Sequence, residues 1–450
     1  MAVISDHCQD IKVTLVDTDI KKIKAWNSED PSRLPIYEPG LQEVVLRNRG
    51  NNLFFSTDIK NSIREADMIF ISVNTPTKIK GLGAGYASDL KWVESSARQV
   101  AEHAAGHTII VEKSTVPVRT AELIEEILNR SQMESKDIDK KTFSVLSSPE
   151  FLAEGTAIKD LENPDRVLIG GSDKKAIKLL SAIYTRWISE EKILLTNVWS
   201  SELSKLIANA FLAQRISSIN SISALCEATG ADIQEVVKAI GSDQRIGKKF
   251  LSPGPGFGGS CFQKDILNLV YISRFYGLEI VANYWEQILF INDWQKKRIS
   301  TLIIEKFFGT VSNKKIVILG FAFKSYTNDT RESPAIQIVK DLIENGARLY
   351  INDPKVSAHQ IEKEIGLKEM EIDKISSGSW QFASDILFSA KDSDAIVVVT
   401  EWNVYKEINW QELASKMRKP AWIFDTRIIF SKEELNCLDI NYWQLGTIKD

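Results

Sequence analysis

Met68-Ile-Phe-Ile-Ser-Val-Asn-Thr-Pro-Thr77 is an apolar run closed by small polar residues, and Thr108-Ile-Ile-Val-Glu-Lys-Ser-Thr-Val-Pro117 repeats the arrangement. Between them, Leu90 to His103 carries apolar residues at helical spacing. Strand, helix and a second strand of the same design make a crossover unit. Its strands run parallel, and their carboxyl ends open toward a ligand. Working outward, strands are expected at Val13–Val16, Leu53–Ser56, Met68–Val73, Thr108–Val111, Ser144–Leu146, Arg166–Ile169 and Ile193–Leu195. A helix is expected over Val118–Arg130, and Pro117 and Pro149 each mark a turn after a strand.

Beyond residue 200 the pattern changes. Ser200 to Thr229 is a proline-free helical stretch stopped by Gly230, followed by a glycine-rich interruption at Ser252–Ser260 and two helical segments between Phe262 and Phe308. At Lys315 the alternation returns. It gives strands at Ile316–Leu319, Arg348–Asn352, Ala395–Thr400 and Ala421–Phe424, with a helix at Pro334–Glu344. The fold class is α/β: two Rossmann-like doubly wound domains, 1–197 and 309–450, joined by a helical central domain, 198–308.

The 450 residues are 44% hydrophobic and 26% charged with a formal net charge of −4, and no basic block points to a nucleic acid. The run Ala395-Ile-Val-Val-Val399 is strand-length, which excludes a membrane span there, and no signal-peptide pattern opens the chain. Four cysteines and four histidines lie scattered without metal-ligand or disulfide spacing, so no metal is expected and the compartment is read as the cytoplasm.

Val13-Thr-Leu-Val-Asp17 is a strand ending in an acid, the position from which a carboxylate binds the ribose of a dinucleotide. The glycine loop belongs roughly 20 residues earlier. Counting back runs past Met1, and residues 1–10 hold no glycine. The first strand and the phosphate loop of the N-terminal domain are therefore expected to be missing.

The chemistry concentrates in Gly254-Pro-Gly-Phe-Gly-Gly-Ser-Cys-Phe-Gln-Lys-Asp265. Its glycines permit close backbone approach, and Cys261 at a helix N-terminus meets unpaired N–H groups that stabilise a thiolate. Asp265 lies one turn on, placed to orient a water or accept a proton. Lys205 and Asn209 sit four apart on a helix whose flanks are nearly all apolar, so Lys205 reads either as ordinary solvated surface or as a buried ammonium suited to a developing alkoxide. Glu150 and Glu154 read either as proton acceptor and ribose ligand or as capping and surface acids. Arg245, Lys324, Arg331 and Arg427 are cations suited to phosphate or sugar hydroxyls.

Taken in order, Leu34-Pro-Ile-Tyr-Glu-Pro-Gly-Leu41, Glu112-Lys-Ser-Thr-Val-Pro117, Pro149-Glu-Phe-Leu-Ala-Glu-Gly155, Asn209-Ala-Phe-Leu-Ala-Gln-Arg215, Phe257-Gly-Gly-Ser-Cys-Phe-Gln-Lys-Asp265 and Asp329-Thr-Arg-Glu-Ser333 resemble the UDP-glucose 6-dehydrogenases of the UDP-glucose/GDP-mannose dehydrogenase family, above all the animal type. The resemblance spans essentially the whole chain. It implies two successive oxidations of UDP-glucose to UDP-glucuronate by NAD, through a thiohemiacetal and a thioester on Cys261. It also implies proton removal by Glu150 with Thr115 and a water, oxyanion stabilisation by Lys205 and Asn209, and hydrolysis assisted by Asp265.

NAD would meet Asp17, Lys22, Val73, Asn74, Thr75, Pro76, Thr77, Ser114, Thr115, Glu154, Lys264 and Arg331. The UDP-sugar would meet Glu150, Phe151, Leu152, Ala153, Glu154, Lys205, Asn209, Arg245, Phe250, Phe257, Gly258, Phe323, Lys324 and Arg427. A homo-oligomer, a hexamer built from dimers, is likewise implied.

Departures from the family pattern are Ser252 in place of a basic residue, Ser-Tyr-Thr-Asn after Lys324, Ser148 before Pro149-Glu150, and the absent glycine loop. With that loop gone, the competing expectation is a catalytically silent UDP-sugar-binding subunit.

Overall fold

The computed structural model describes residues 1–134, 141–371 and 374–447. Its strands are β1 (Val13–Val16), β2 (Leu53–Ser56), β3 (Met68–Ile71), β4 (His107–Glu112), β5 (Thr142–Ser147), β6 (Val167–Gly170), β7 (Ile193–Thr196), β8 (Lys315–Leu319), β9 (Arg348–Asn352), β10 (Ser379–Phe382), β11 (Ala395–Val398), β12 (Trp422–Asp425) and β13 (Asn441–Gln444). The chain divides into two compact units. One comprises residues 1–208 and 267–279, the other 209–266 and 280–450. The helices Val198–Thr229 and Phe262–Phe275 each begin in one unit and end in the other. No helix among the described residues is long and apolar enough to cross a membrane.

In the first unit β1 and β2 form a parallel two-stranded sheet, separate from a five-stranded sheet ordered β3-β4-β5-β6-β7. β5 and β6 run antiparallel, touching at Ser147 and Gly170, so this sheet is mixed rather than wholly parallel as the alternation predicted. β3 ends at Ile71, short of the expected Val73. The reason is local: Lys113 and Ser114 both donate to the Ile71 carbonyl, and the two chains diverge there. Ile110, Val111, Leu146 and Ile169 are fully buried. Removing such side chains from water stabilises by about 1.5–3 kcal/mol each.

The second unit holds a six-stranded parallel sheet ordered β10-β9-β8-β11-β12-β13. Counted from β8, this is the 3-2-1-4-5-6 order of a doubly wound sheet. Every residue of β11 and nearly all of β8 is buried, as a strand covered by helices on both faces requires. The two edge strands, β10 and β13, have the sequences Ser-Trp-Gln-Phe and Asn-Tyr-Trp-Gln. Polar residues mixed among aromatics hide them from a search for apolar runs. That mixture is usual at sheet edges.

A buried pair of carboxyl groups fastens the first unit. Glu202, on the helix Val198–Thr229, accepts from the N–H groups of Arg119 and Ala121, both at 2.7 Å, where the helix Thr120–Glu134 begins. Glu112, the last residue of β4, is 1% exposed and lies against the Glu202 carboxylate and Ser147. Burial, with the Glu202 carboxylate beside it, pushes Glu112 well above the usual carboxyl range. Burial also raises Glu202, although its backbone donors work the other way.

The folded state therefore holds the Glu112 proton more tightly than the unfolded chain. That contribution is complete below the ordinary carboxyl range and is lost as pH rises from that range through the raised value. Glu112→Gln supplies a permanent donor of similar shape. It is expected to melt like the parent near pH 4.5 and on the order of 2–4 °C higher at pH 8. Thermal melts across that range check this, and parallel pH curves for variant and parent would contradict it.

Candidate functional site

The carboxyl ends of β3 and β4 are stitched together. The Thr75 hydroxyl donates to the Thr115 carbonyl at 2.7 Å, and Ser114 Oγ donates to the Val73 carbonyl at 2.7 Å. This fixes the segments 73–77 and 114–115 side by side at the end of the sheet. At the end of β1, Asp17 Oδ1 takes the Asp19 N–H at 2.8 Å, and Oδ2 meets Lys22 Nζ at 3.4 Å. The Asp17 side chain remains one-third exposed, with lone pairs left for hydroxyl donors.

After β5 the segment Ser148–Gly155 turns across the same unit. Glu150 pairs with Lys113 at 3.1 Å, and Lys113 also donates to the Tyr184 hydroxyl at 3.2 Å. Burial opposes the Lys113 ammonium, but Glu150 and Tyr184 outweigh it and hold Lys113 above the usual lysine range. Lys113, Glu150, Arg166 and Tyr184 line a cavity of about 20 Å³, room for roughly one water. Glu38 caps the segment's far end, taking the N–H groups of Gly155 and Ala157 at 2.8 and 2.7 Å. Lys205 is buried, the second of the two readings its flanks allow, with its ammonium 5.3 Å from the centre of the Phe151 ring.

In the second unit the glycine-rich turn is held by side-chain amides that sequence reading missed. Asn292 Oδ1 accepts the Phe257 N–H at 2.8 Å while its Nδ2 donates to the Phe257 carbonyl at 3.1 Å. Gln295 donates to the Gly254 carbonyl, and Asn220 Oδ1 accepts the Gly254 N–H, both at 2.8 Å. On helices these amides read as ordinary surface residues. Their one visible signal is the turn itself, which cannot satisfy its own backbone.

Gly258 needs the absence of a side chain, since a Cβ there would lie 2.5 Å from the Glu332 carbonyl oxygen and 2.8 Å from the Phe323 Cβ. The Gly259 N–H donates to the Arg331 carbonyl at 2.8 Å. Phe257, Gly258 and Phe323 are thus brought together. Lys324 Nζ lies 5.5 Å from the centre of the Phe323 ring. Arg427 joins them, donating to the carbonyls of Val399 at 2.7 Å and Phe323 at 3.2 Å and pairing with Glu401 at 3.0 Å.

The turn delivers Cys261, whose thiol is exposed, directly before the helix Phe262–Phe275. Ser260 Oγ is 3.6 Å from its sulfur. One turn into the helix, buried Asp265 accepts from the buried Asn209 amide at 2.6 Å, and Lys264 stands 3.6 Å from its other oxygen. Cys261, Asp265, Asn209 and Lys264 therefore form one cluster. Arg245 is instead exposed and folded onto Asp243 at 2.6 Å, and Arg331 is folded onto Asp329 at 2.6 Å. Phe250 is exposed, with φ of 60°.

The β8 turn shows what this unit does with a strand-end acid. Asp353, just past β9, accepts from the N–H groups of Phe321 and Ala322 at 2.8 and 2.9 Å and from the Trp402 indole at 3.2 Å. In a dinucleotide site those turn N–H groups face phosphate. Here a buried carboxylate takes them, so the turn is structural. The donor set for a dinucleotide lies in the first unit. Asp17 fits a ribose, and the stitched ends of β3 and β4 fit the nicotinamide side.

Comparison with known proteins follows the same division. Residues 1–188 match the family model described as UDP-glucose/GDP-mannose dehydrogenase family, NAD binding domain; residues 199–294 match the central domain and 317–432 the UDP binding domain. The chain is 53% identical over 451 residues to a UDP-glucose 6-dehydrogenase of Gallus gallus, covering 99% of this chain and 90% of that protein. It is 51% identical over 463 residues to UDP-glucose 6-dehydrogenase 2 of Arabidopsis thaliana, covering 99% and 94%.

Among solved structures, a UDP-glucose dehydrogenase from the archaeon Pyrobaculum islandicum superposes with a TM-score of 0.83 at 27% identity, covering 99% of this chain and 94% of that one. Three successive domain models, and relatives more than half identical along nearly its whole length, place the chain in the UDP-glucose/GDP-mannose dehydrogenase family.

Proposed function

We propose that this protein oxidises UDP-glucose to UDP-glucuronate in two NAD-dependent steps through a covalent Cys261 intermediate. One observation carries the covalent reading. Cys261 is exposed directly before a helix, and one turn on, Asp265, whose N–H donates to the Cys261 carbonyl at 2.9 Å, is buried and accepts from Asn209 at 2.6 Å. An alcohol dehydrogenase that stopped at the aldehyde would need no such nucleophile.

When bound, NAD supplies a hydride acceptor for each oxidation. The remaining requirements fall on side chains. Glu150, working with Thr115 and a water, takes the hydroxyl proton of the sugar. Lys205 and Asn209 hold the oxyanion. The Cys261 sulfur adds to the aldehyde carbon and stays bonded while that carbon rises to the acyl level. Asp265 then directs water onto the thioester, which releases the acid and returns the thiolate.

Asp17, Lys22, residues 73–77, Ser114, Thr115, Glu154, Lys264 and Arg331 are assigned to NAD. Phe151–Glu154, Arg245, Phe250, Phe257, Gly258, Phe323, Lys324 and Arg427 are assigned to the UDP-sugar. The division 1–197, 198–308 and 309–450 follows these roles.

Exposed apolar side chains on two helices of the second unit, Phe211 and Leu225 on one and Tyr284 and Phe290 on the other, support a homo-oligomer. The four free cysteines accord with a cytoplasmic setting.

A second reading, a UDP-sugar-binding subunit without turnover, is favoured by the separation of β1–β2 from β3. Asp17 lies on one side of that break, and Ser114 and Thr115 lie on the other.

Two measurements divide the readings. Calorimetric titration of the chain with NAD is expected to give saturable binding of one NAD per subunit, whereas heat no greater than dilution favours the silent subunit. Cys261→Ala is expected to lower kcat with UDP-glucose by more than about 1,000-fold and to abolish the acyl adduct that intact-mass measurement finds on the quenched parent enzyme. Turnover within tenfold of the parent would exclude the covalent route.

A further inference from the structure

Three separate elements of the first unit converge on one aromatic ring. Phe151 lies on the turn after β5, Arg166 immediately before β6, and Lys205 on the helix Val198–Thr229. The Arg166 guanidinium carbon is 4.0 Å from the centre of the Phe151 ring, and Lys205 Nζ is 5.3 Å from it. Both distances lie within the roughly 6 Å over which a ring's negative face attracts a cation. Among the described residues, no hydrogen bond or ion pair of the Arg166 guanidinium accompanies this stack.

Lys205 is buried with 8% exposure, so its ammonium has lost most of its water. Its four-carbon stem leaves many rotamers open, and an oxyanion is stabilised well only by a charge already in place. A ring face answers both needs, since it offers negative potential to a desolvated cation and fixes where that cation rests. A guanidinium whose carbon lies 4.0 Å from the centre of the same ring restrains that ring in turn.

We propose that Phe151 is a positioning residue for Lys205, its ring face holding the ammonium while Arg166 anchors the ring. This goes beyond a substrate contact for Phe151 and rests on the reading of Lys205 as the oxyanion-stabilising cation.

The test varies the ring's charge distribution without its shape. Phe151 is replaced in the full chain by mono-, di- and trifluorinated phenylalanine through nonsense suppression. Each fluorine withdraws density from the ring face and weakens cation binding stepwise. The first readout needs no cofactor: reductive methylation of Lys205 by formaldehyde and cyanoborohydride at fixed pH, followed by peptide mass spectrometry. The methylation rate is expected to rise with each fluorine, reaching about 3- to 10-fold in the trifluoro form. Phe151→Leu should rise at least as far, and Phe151→Trp should stay at or below the parent rate.

In turnover assays kcat is expected to fall in the same order while KM for UDP-glucose moves less than about twofold. A methylation rate flat across the fluorine series, with Phe151→Leu still accelerated, would mean the ring only packs and would overturn the proposal. A rate in Arg166→Gln equal to that of the parent would overturn the anchoring role. Lys205→Met separates the two layers. If that variant keeps parental kcat, the catalytic reading of Lys205 fails, while the methylation series still decides whether the ring holds the amine.

Discussion

Asn292 closes both backbone groups of Phe257, and the second unit's chemistry depends on that closure. The turn 252–260 is neither helix nor strand, so its N–H and carbonyl groups have no ladder to join. Left buried and unpaired, each would cost about 1–3 kcal/mol. Asn292, Gln295 and Asn220 remove that cost and in doing so fix the path of the chain. With Phe257 held, Gly258 can press against the Glu332 carbonyl, and the next residues reach the helix start with the Cys261 thiol outward. One turn further, Asp265 faces inward to Asn209. An exposed cysteine and, one turn on, a buried hydrogen-bonded acid follow from that path.

The same device recurs at other chain turns. Asp353 takes the N–H groups of the β8 turn, and Glu202 takes those at the start of the helix Thr120–Glu134. Asp425, closing β12, accepts from the N–H groups of Arg427, Ile429 and Phe430, and burial raises its pKa despite those donors. Each acid is consumed by the protein's own backbone. Asp17 differs from them. It stands at the equivalent kind of position but is one-third exposed, and its partners are its own turn and the mobile-stemmed Lys22. A strand-end acid left partly open is the one available to a ligand. That distinction lies in burial, which residue type alone does not reveal.

The inner strands of the second unit were legible because parallel strands covered on both faces must be apolar throughout, as Ala395–Val398 and, after its first residue, Lys315–Leu319 are. β10 and β13 were not, because polar residues break the apolar run even though Ser379, Gln381 and Gln444 are buried, Gln444 donating to Asp425 and to the Phe430 carbonyl. The antiparallel contact of β5 with β6 was hidden for another reason: strand direction is set by the connection, and no residue in either strand encodes it. The apolar flanks of Lys205 allowed burial without deciding it against a solvated lysine. Its ring platform was not legible, since Phe151 and Arg166 lie in segments that only the fold brings together. Asn292 and Gln295 were invisible because a helical amide looks the same whether it faces water or a turn.

The two units also differ in how their sheets cohere, and the difference bears on NAD. In the second unit β8 is flanked by β9 and β11, so hydrogen-bond ladders fix the register of every strand end. In the first, no ladder among the described residues joins β1 to β3. Packing holds β1 and β2 instead: Ile4, Cys8, Val13, Ile23, Trp26, Val45, Leu53 and Phe55 form a cluster that reaches Phe70 of β3 at its margin. Apolar packing is strong but non-directional, whereas a ladder sets position to the residue. Proximity is thereby secured, and directional contacts add to it: Lys12 pairs with Glu65 at 3.1 Å, Asp10 with Arg186, and Glu38 takes the N–H groups of Gly155 and Ala157. The residues that would grip the adenosine ribose and those that would face the nicotinamide lie on opposite sides of that boundary.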